Sequence, residues 1–480
     1  MIWLNQVSSV KRGWAVVIII GFCSIPAVTP RLYASDEIQY FAYLRSLWFD
    51  QDLSFDNEYR YFHDRGIATA YGFEETFLEL ETPTGRRINF ATIGPAILWM
   101  PFYAIADGVT RAMRALGSSV AVDGYSRPYL TAIAFGSAFL GFLAVCLSIS
   151  AARRLLGRGF VAGLAVWLGT PLLFYMYLAP GMAHACSAFA VALFLTVWLK
   201  AREDWSTGGL MGLGATAALM TMVREQDVFF VLGPAVDYIW SFVVAWSAGN
   251  RGRASELIRR LIFGTAMAVT CYLPQVAAYL TLNGRIGPSP YVEDKMAWLS
   301  PYAASVLLST EHGLVAWTPL VIAALVGIGV LCVKSLPGTS FRELRRIGLC
   351  LFVMFAAQVY ISGSVDSWTV AGAFGQRRFV GVTIILIIGL ATLIRVTAKH
   401  WSSVPTFALM TICIWWNLGL MVQFGAGLMD RQRLELTRNA YNTFVVVPRA
   451  FPVMVYRYFF DRTSFYEEPD RYDDSRPSRP

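Results

Sequence analysis

Eleven apolar runs follow one another along this chain, near residues 13–30, 129–149, 160–178, 185–199, 207–223, 228–247, 261–282, 314–333, 347–363, 379–394 and 404–425. Each is long enough to cross a hydrocarbon core of about 30 Å as a helix. The pattern therefore predicts an all-α polytopic membrane protein of about eleven transmembrane helices. A twelfth stretch, "FATIGPAILWMPFYAIA" from Phe90 to Ala106, is apolar but short and carries Pro95 and Pro101. Were it to span, every later loop would change sides.

Charge arbitrates. With residues 90–106 not spanning, seventeen Lys and Arg, from Lys11 and Arg12 to Arg395 and Lys399, fall on one side. The short loops of the other side hold only Arg224, Arg285, Lys295, Arg377 and Arg378. Basic loops stay in the cytoplasm, so the amino terminus is expected inside, with residues 90–106 lying on or dipping into the outer leaflet. The first run has Lys11 and Arg12 before it and "LYAS" after it, as a signal peptide would; the later runs favour a retained anchor.

The first outer loop then covers about 31–128. From Ser35, the residues Ile38, Phe41, Leu44, Leu47 and Trp48 recur at helical spacing, which predicts an interfacial amphipathic helix capped by Ser35. Residues 1–425 form the membrane domain. In the tail, 426–480, "FVVVPRAFPVMVYRYFF" reads as an outer interfacial segment, and "EEPDRYDDSRPSRP" has a disordered composition.

Composition agrees: 56% of the residues are hydrophobic and 15% charged, outside the range of soluble globular domains. The net charge of +8 does not indicate nucleic acid, because the basic residues sit in short clusters between apolar runs. The seven cysteines lie in or beside apolar runs, without the paired loop spacing of a disulfide framework or a zinc site.

Against this background the polar residues at the outer helix ends stand out. "SDE" places Asp36 and Glu37 just after the first run. Alone, such a pair is explained by the positive end of the helix it begins. "PGMAHACSAF" brings His184, "MVREQD" brings Arg224, and the stretch from Trp298 to Trp317 brings His312. "SVDSWTVAGAFGQRRFV" brings Trp368, Arg377 and Arg378. Each group is explained singly as an interfacial anchor; together they read as parts of one site. Asp237, inside the sixth run, reads as a structural hydrogen-bonding group rather than a proton relay.

The acidic "SDE", the long outer loop with its apolar segment and the alternating short loops resemble the GT-C superfamily of integral membrane glycosyltransferases. "DEIQYFAYLRSLWFDQDL", "EHGLVAWTPL" and "FGQRRF" resemble its bacterial branch related to protein O-mannosyltransferases and the lipid A aminoarabinose transferase. The resemblance covers residues 1 to about 425. It implies a GT-C bundle that transfers a sugar from a polyprenyl-phosphate carrier to an acceptor hydroxyl of the cell envelope, on the outer face of the inner membrane, with inversion. It also implies that the acidic motif supplies the base, here Asp36 with Glu37 beside it. The Gly that usually precedes the motif is Ser35, and no Pro follows Glu37, which leaves the role of Glu37 open.

The residues suit that chemistry on their own terms. One carboxylate can take the acceptor proton, and a departing phosphate needs cationic donors such as Arg377, Arg378, Arg224 or His312. His184, Trp298 and Trp368 are expected to line the substrate site, although an aromatic belt explains the tryptophans equally well. No Gly-x-Gly-x-x-Gly or Walker loop offers a cradle for a nucleotide sugar. No cofactor is implied; a divalent metal is compatible with the pattern but not indicated by it. A lipid flippase or transporter would place charge near the bilayer midplane on repeated, interrupted helices, and neither feature is found. An envelope glycan ligase or polymerase is the other alternative.

Overall fold

The computed structural model describes residues 2–68, 72–370, 372–398 and 403–462. In chain order the helices are α1 (Ile2–Ser24), α2 (Ser35–Arg45), α3 (Asp56–His63), α4 (Gly94–Ala115), α5 (Arg127–Leu156), α6 (Phe160–Leu168), α7 (Leu172–Tyr177), α8 (His184–Ala201), α9 (Thr207–Val223) and α10 (Leu232–Ser247). They continue with α11 (Arg251–Asn283), α12 (Pro290–Glu293), α13 (Ala303–Leu308), α14 (Leu314–Trp317), α15 (Leu320–Val333), α16 (Phe341–Gly363), α17 (Thr383–Thr397), α18 (Ser403–Gly425), α19 (Leu436–Tyr441) and α20 (Val447–Phe460). Among the described residues there is no strand, only isolated bridges joining Glu81 to Arg87 and Met296 to Val365.

The protein is a multi-pass membrane protein. Eight helical segments among the described residues are long and apolar enough to cross a bilayer, and α9 and α15 are shorter apolar helices. These eight segments and two shorter apolar helices do not by themselves establish the expected count of about eleven spans. The run expected over 160–178 breaks between α6 and α7 at Gly169, Thr170 and Pro171, where proline removes a donor and carbonyls lose their helical partners. Asn417 of α18 repairs the break by donating its side-chain amide to the carbonyls of Leu168 (2.9 Å) and Thr170 (3.1 Å). Irregular backbone at membrane depth persists where neighbouring helices satisfy it in this way.

Small residues set the closest approaches inside the bundle. A Cβ on Gly327 of α15 would collide with the backbone of Gly389 on α17, and one on Gly214 of α9 with that of Gly264 on α11. The opposite faces of α1, α10 and α11 expose Ile18, Ile19, Phe22, Val236, Trp240, Ile262 and Val269. Apolar surface of this extent matches a lipid environment.

Hydrogen bonds identify the two ends of the bundle. At one end, Thr29 after α1 donates its amide to Tyr177 at the end of α7, and Thr84 reaches the carbonyls of Thr281 and Leu282 at the end of α11. At the other, Arg395 bonds the carbonyls of Leu156 and Pro337, and Arg202 pairs with Glu343. Asp237 is buried near this second end, bonded by Arg202 (2.7 Å) and by the indole of Trp198 (3.0 Å). It therefore has the structural role its sequence position suggested.

Residues 31–128 fold over the first end and differ from expectation in two respects. α2 is not an amphipathic helix on an interface: Ile38, Phe41, Ala42, Tyr43 and Leu44 are all buried, enclosed by α3 and α4. Within the apolar stretch 90–106, residues 94–106 are only the first part of α4, a helix 22 residues long. Ala96, Trp99, Tyr103, Ala106 and Thr110 face inward at helical spacing, while Ile105, Val109 and Met113 face out. α4 packs along α5 through Trp99 to Ser137 (2.8 Å) and Asp107 to Tyr129 (2.7 Å). α20 returns to the same end, where Tyr458 donates to the carbonyl of Ala27 and Arg462 to that of Val28. The stretch "EEPDRYDDSRPSRP" lies outside the described residues.

Candidate active site

The start of α2 sits at the covered end of the bundle. Ser35 does not cap the helix; the N-cap position is Ala34, which has no side-chain acceptor. Glu37 reaches back instead, its Oε2 accepting from the amides of Tyr33 (2.9 Å) and Ala34 (3.1 Å). Its carboxyl is fully buried against Gly181, where a Cβ would press on Oε1. Burial, opposed by those amides and reinforced by the neighbouring Asp36, pushes this carboxyl from 4.5 to about 7.

Holding Glu37 inward turns Asp36 outward, because successive helical residues point about 100° apart. The side chain of Asp36 is 42% exposed and its Oδ2 lies 2.9 Å from Nη1 of Arg377. Two cavities share Ser35 and Asp36 on their walls. The larger, of 380 Å³, adds Gln39, Tyr40, Thr76, Phe73, Phe77, Phe90 and Lys295. The smaller, of 160 Å³, adds Arg377 with Tyr175, Phe174, Phe374, Met182 and Phe424. Asp36 is thus where the two spaces meet, with a cation on each side.

Arg377 opens the 3-10 turn Arg377–Val382 that leads into α17. Arg378 lines neither of these cavities, its guanidinium bonded to the carbonyl of Ser362 (3.4 Å) and the hydroxyl of Ser367 (3.1 Å). Arg224, at the end of α9, lies close enough to Tyr40, His184 and Asp227 for its charge to act on each. The structure therefore gathers Asp36, Arg377, Arg378 and Arg224; of the three arginines, Arg377 lines one of these two cavities.

The remaining expected residues stand back from the cavities. His184 is buried at the start of α8, its ring 4.5 Å from that of Tyr175, which lines the smaller cavity. His312 is fully buried, stacked on Trp317 at 4.9 Å, with Nε2 donating to the carbonyl of Ala373 at 2.8 Å. Burial lowers its imidazole from 6.5 to about 4, so near neutrality it is uncharged and ties down the loop before Arg377. Trp298 is exposed beside Tyr360, and Trp368 stacks on Tyr302. Neither tryptophan lines either cavity.

Lys295, Gln39, Tyr40 and Tyr175 line the cavities without having been singled out in the sequence. For two of them a signal existed: Gln39 and Tyr40 follow Asp36 by three and four residues and so share its helical face. Lys295, over the ring of Phe90 at 5.2 Å, looked like one more interfacial charge. Among the described residues no group of three His, Cys, Asp or Glu is placed to hold a metal ion.

The overall fold has counterparts among solved structures and is GT-C-like. The chain is similar to ArnT from Cupriavidus metallidurans bound to undecaprenyl phosphate, at 15% identity and a TM-score of 0.50, over 96% of this chain and 73% of that one. Apo ArnT from the same organism gives 12% identity and a TM-score of 0.48, over 96% and 79%. No family model and no curated protein matches the sequence.

Proposed function

We propose that this protein is an inverting glycosyltransferase that moves a sugar from a polyprenyl-phosphate carrier to an acceptor hydroxyl on the outer face of a bacterial inner membrane. The observation that carries this reading is the position of Asp36, on the shared wall of two cavities and 2.9 Å from an arginine. A carboxylate that accepts a proton stands next to a guanidinium fork suited to phosphate oxygens. The undecaprenyl phosphate held by a structure of the same fold adds support for a lipid-phosphate partner.

In this reading the smaller cavity, with Arg377 between aromatic walls, receives the sugar and its phosphate. The larger, with Gln39, Thr76 and Lys295, receives the acceptor. The acceptor oxygen bonds to the anomeric carbon as the bond from that carbon to the phosphate oxygen breaks. The hydroxyl proton passes to Asp36, and the polyprenyl phosphate leaves with its negative charge facing Arg377. Arg224 adds positive potential behind the site. Outer-face action is supported by the basic residues concentrated at the opposite end of the bundle, among them Arg153, Arg154, Arg202, Arg253, Arg260 and Arg395.

Purified protein in proteoliposomes, given a labelled polyprenyl-phosphate sugar and an envelope lipid and glycan extract, tests this reading. Label should move into a glycosidic product as free polyprenyl phosphate accumulates. Label that crosses the bilayer while remaining on its carrier would show a flippase instead.

A further inference from the structure

The ion pair at the junction of the cavities sets two roles in opposition. If Asp36 is the base and Arg377 the phosphate group's partner, the two roles draw on one ion pair: Oδ2 of Asp36 lies 2.9 Å from Nη1 of Arg377. The surroundings leave both free to part. Arg377 makes its other contact with the sulfur of Met182 at 3.9 Å, a weak acceptor, while Arg378 is held by Ser362 and Ser367. Asp36 is 42% exposed, and its helix is anchored through Glu37 rather than through Asp36.

We infer that the donor phosphate and Asp36 compete for Arg377, so that seating the donor releases the base. This rests on the proposed transferase reading and adds an order of events to it. The pair is a single-oxygen contact, open to water on the side of Asp36. A phosphate group meeting the guanidinium through two oxygens in the smaller cavity is the stronger partner. When Arg377 turns to the phosphate, Asp36 is left facing the larger cavity with its oxygens unengaged. Donor binding then precedes productive acceptor binding, and the carboxylate is held by arginine until a sugar is present to accept the attack.

Binding tests this without turnover. The probe is undecaprenyl phosphate, titrated into the full-length protein in detergent, with thermal melting confirming that each variant is folded. Asp36→Asn should tighten binding about three- to tenfold, because it removes the competitor. Arg377→Ala should weaken binding about tenfold or more, since it removes the charge-assisted partner; Arg377→Gln serves if the alanine variant does not fold. In the Arg377 variant, Asp36→Asn should change affinity less than about twofold, because nothing remains to compete for. Unchanged or weaker binding by Asp36→Asn in the native background would overturn the competition. So would equal tightening in both backgrounds, which would show repulsion between Asp36 and the phosphate acting through space. Failure of the unmodified protein to bind the probe would instead overturn the lipid-phosphate reading itself.

Discussion

Glu37 directly follows Asp36, the proposed base, and its carboxylate turns inward to the amides of Tyr33 and Ala34; Glu37→Gln separates a capping role from a chemical one. The glutamine retains an oxygen able to accept from the amides of Tyr33 and Ala34, and it removes the charge. With the carboxyl pushed from 4.5 to about 7 by burial, the native protein supports this group fully below about pH 4.5 and loses that support as pH rises through about 7. The difference corresponds to roughly 3 kcal/mol at pH 8, at 1.36 kcal/mol per pH unit. Melting in detergent between pH 4.5 and 8.5 should therefore show Glu37→Gln equal to the native protein at the acid end and more stable at the alkaline end. Turnover should stay within a few-fold. Glu37→Ala, by contrast, strands two amides and should cost about 1–3 kcal/mol for each at acid pH, a cost that shrinks as pH rises through about 7 because the variant also lacks the buried charge. A glutamine variant that melts like the native protein across the range but loses about 100-fold in kcat would place Glu37 in the chemistry and refute this division of labour.

Arg378→Ala should lower the melting temperature, because its guanidinium braces Ser362 and Ser367, whereas Arg377→Ala should leave melting nearly unchanged and raise the donor KM; kinetics and melting of the two variants check this. Asn417→Leu should destabilise the bundle by about 2–5 kcal/mol by orphaning the carbonyls at the α6–α7 break, read by thermal unfolding in detergent. His312, lowered from 6.5 to about 4, contributes stability that is complete above about pH 6.5 and is lost as pH falls through about 4. His312→Phe, which retains a ring against Trp317, should remove that acid sensitivity in a melting series. In a cysteine-free background, a cysteine at exposed Thr84 should react with a membrane-impermeant reagent in intact cells and one at exposed Ser255 should not.

Much of the architecture was legible because lipid enforces a simple rule: long apolar runs must become helices. The broken helix at Gly169–Pro171 was hidden because the repair comes from Asn417, some 250 positions away, and no local pattern records it. α2 looked amphipathic because its apolar residues recur at helical spacing; part of its polar face is also engaged, Gln39 bonding the amide of Phe90 and Glu37 turning back on the chain, while Asp36 faces the cavities. The same limit applied at the site. Asp36 and Arg377 were visible as unusual residues at helix ends, and the fold brings them together. His312 and Trp368 carried the same kind of signal, but they hold the neighbouring loops, through Ala373 and Tyr302. Residue type and side of the membrane could not distinguish cavity wall from support, because that depends on which way each loop turns.

The proposed sugar transfer from a lipid phosphate depends on Asp36 taking the acceptor proton. Its most direct test is single-turnover transfer of a labelled polyprenyl-phosphate sugar by the native protein and by Asp36→Asn, with melting and undecaprenyl phosphate binding measured on the same preparations. The variant should be folded, bind the lipid at least as tightly, and transfer sugar about 100-fold more slowly or worse, the contribution expected of a general base. A folded, lipid-binding Asp36→Asn protein that retains more than about a tenth of native turnover would contradict it.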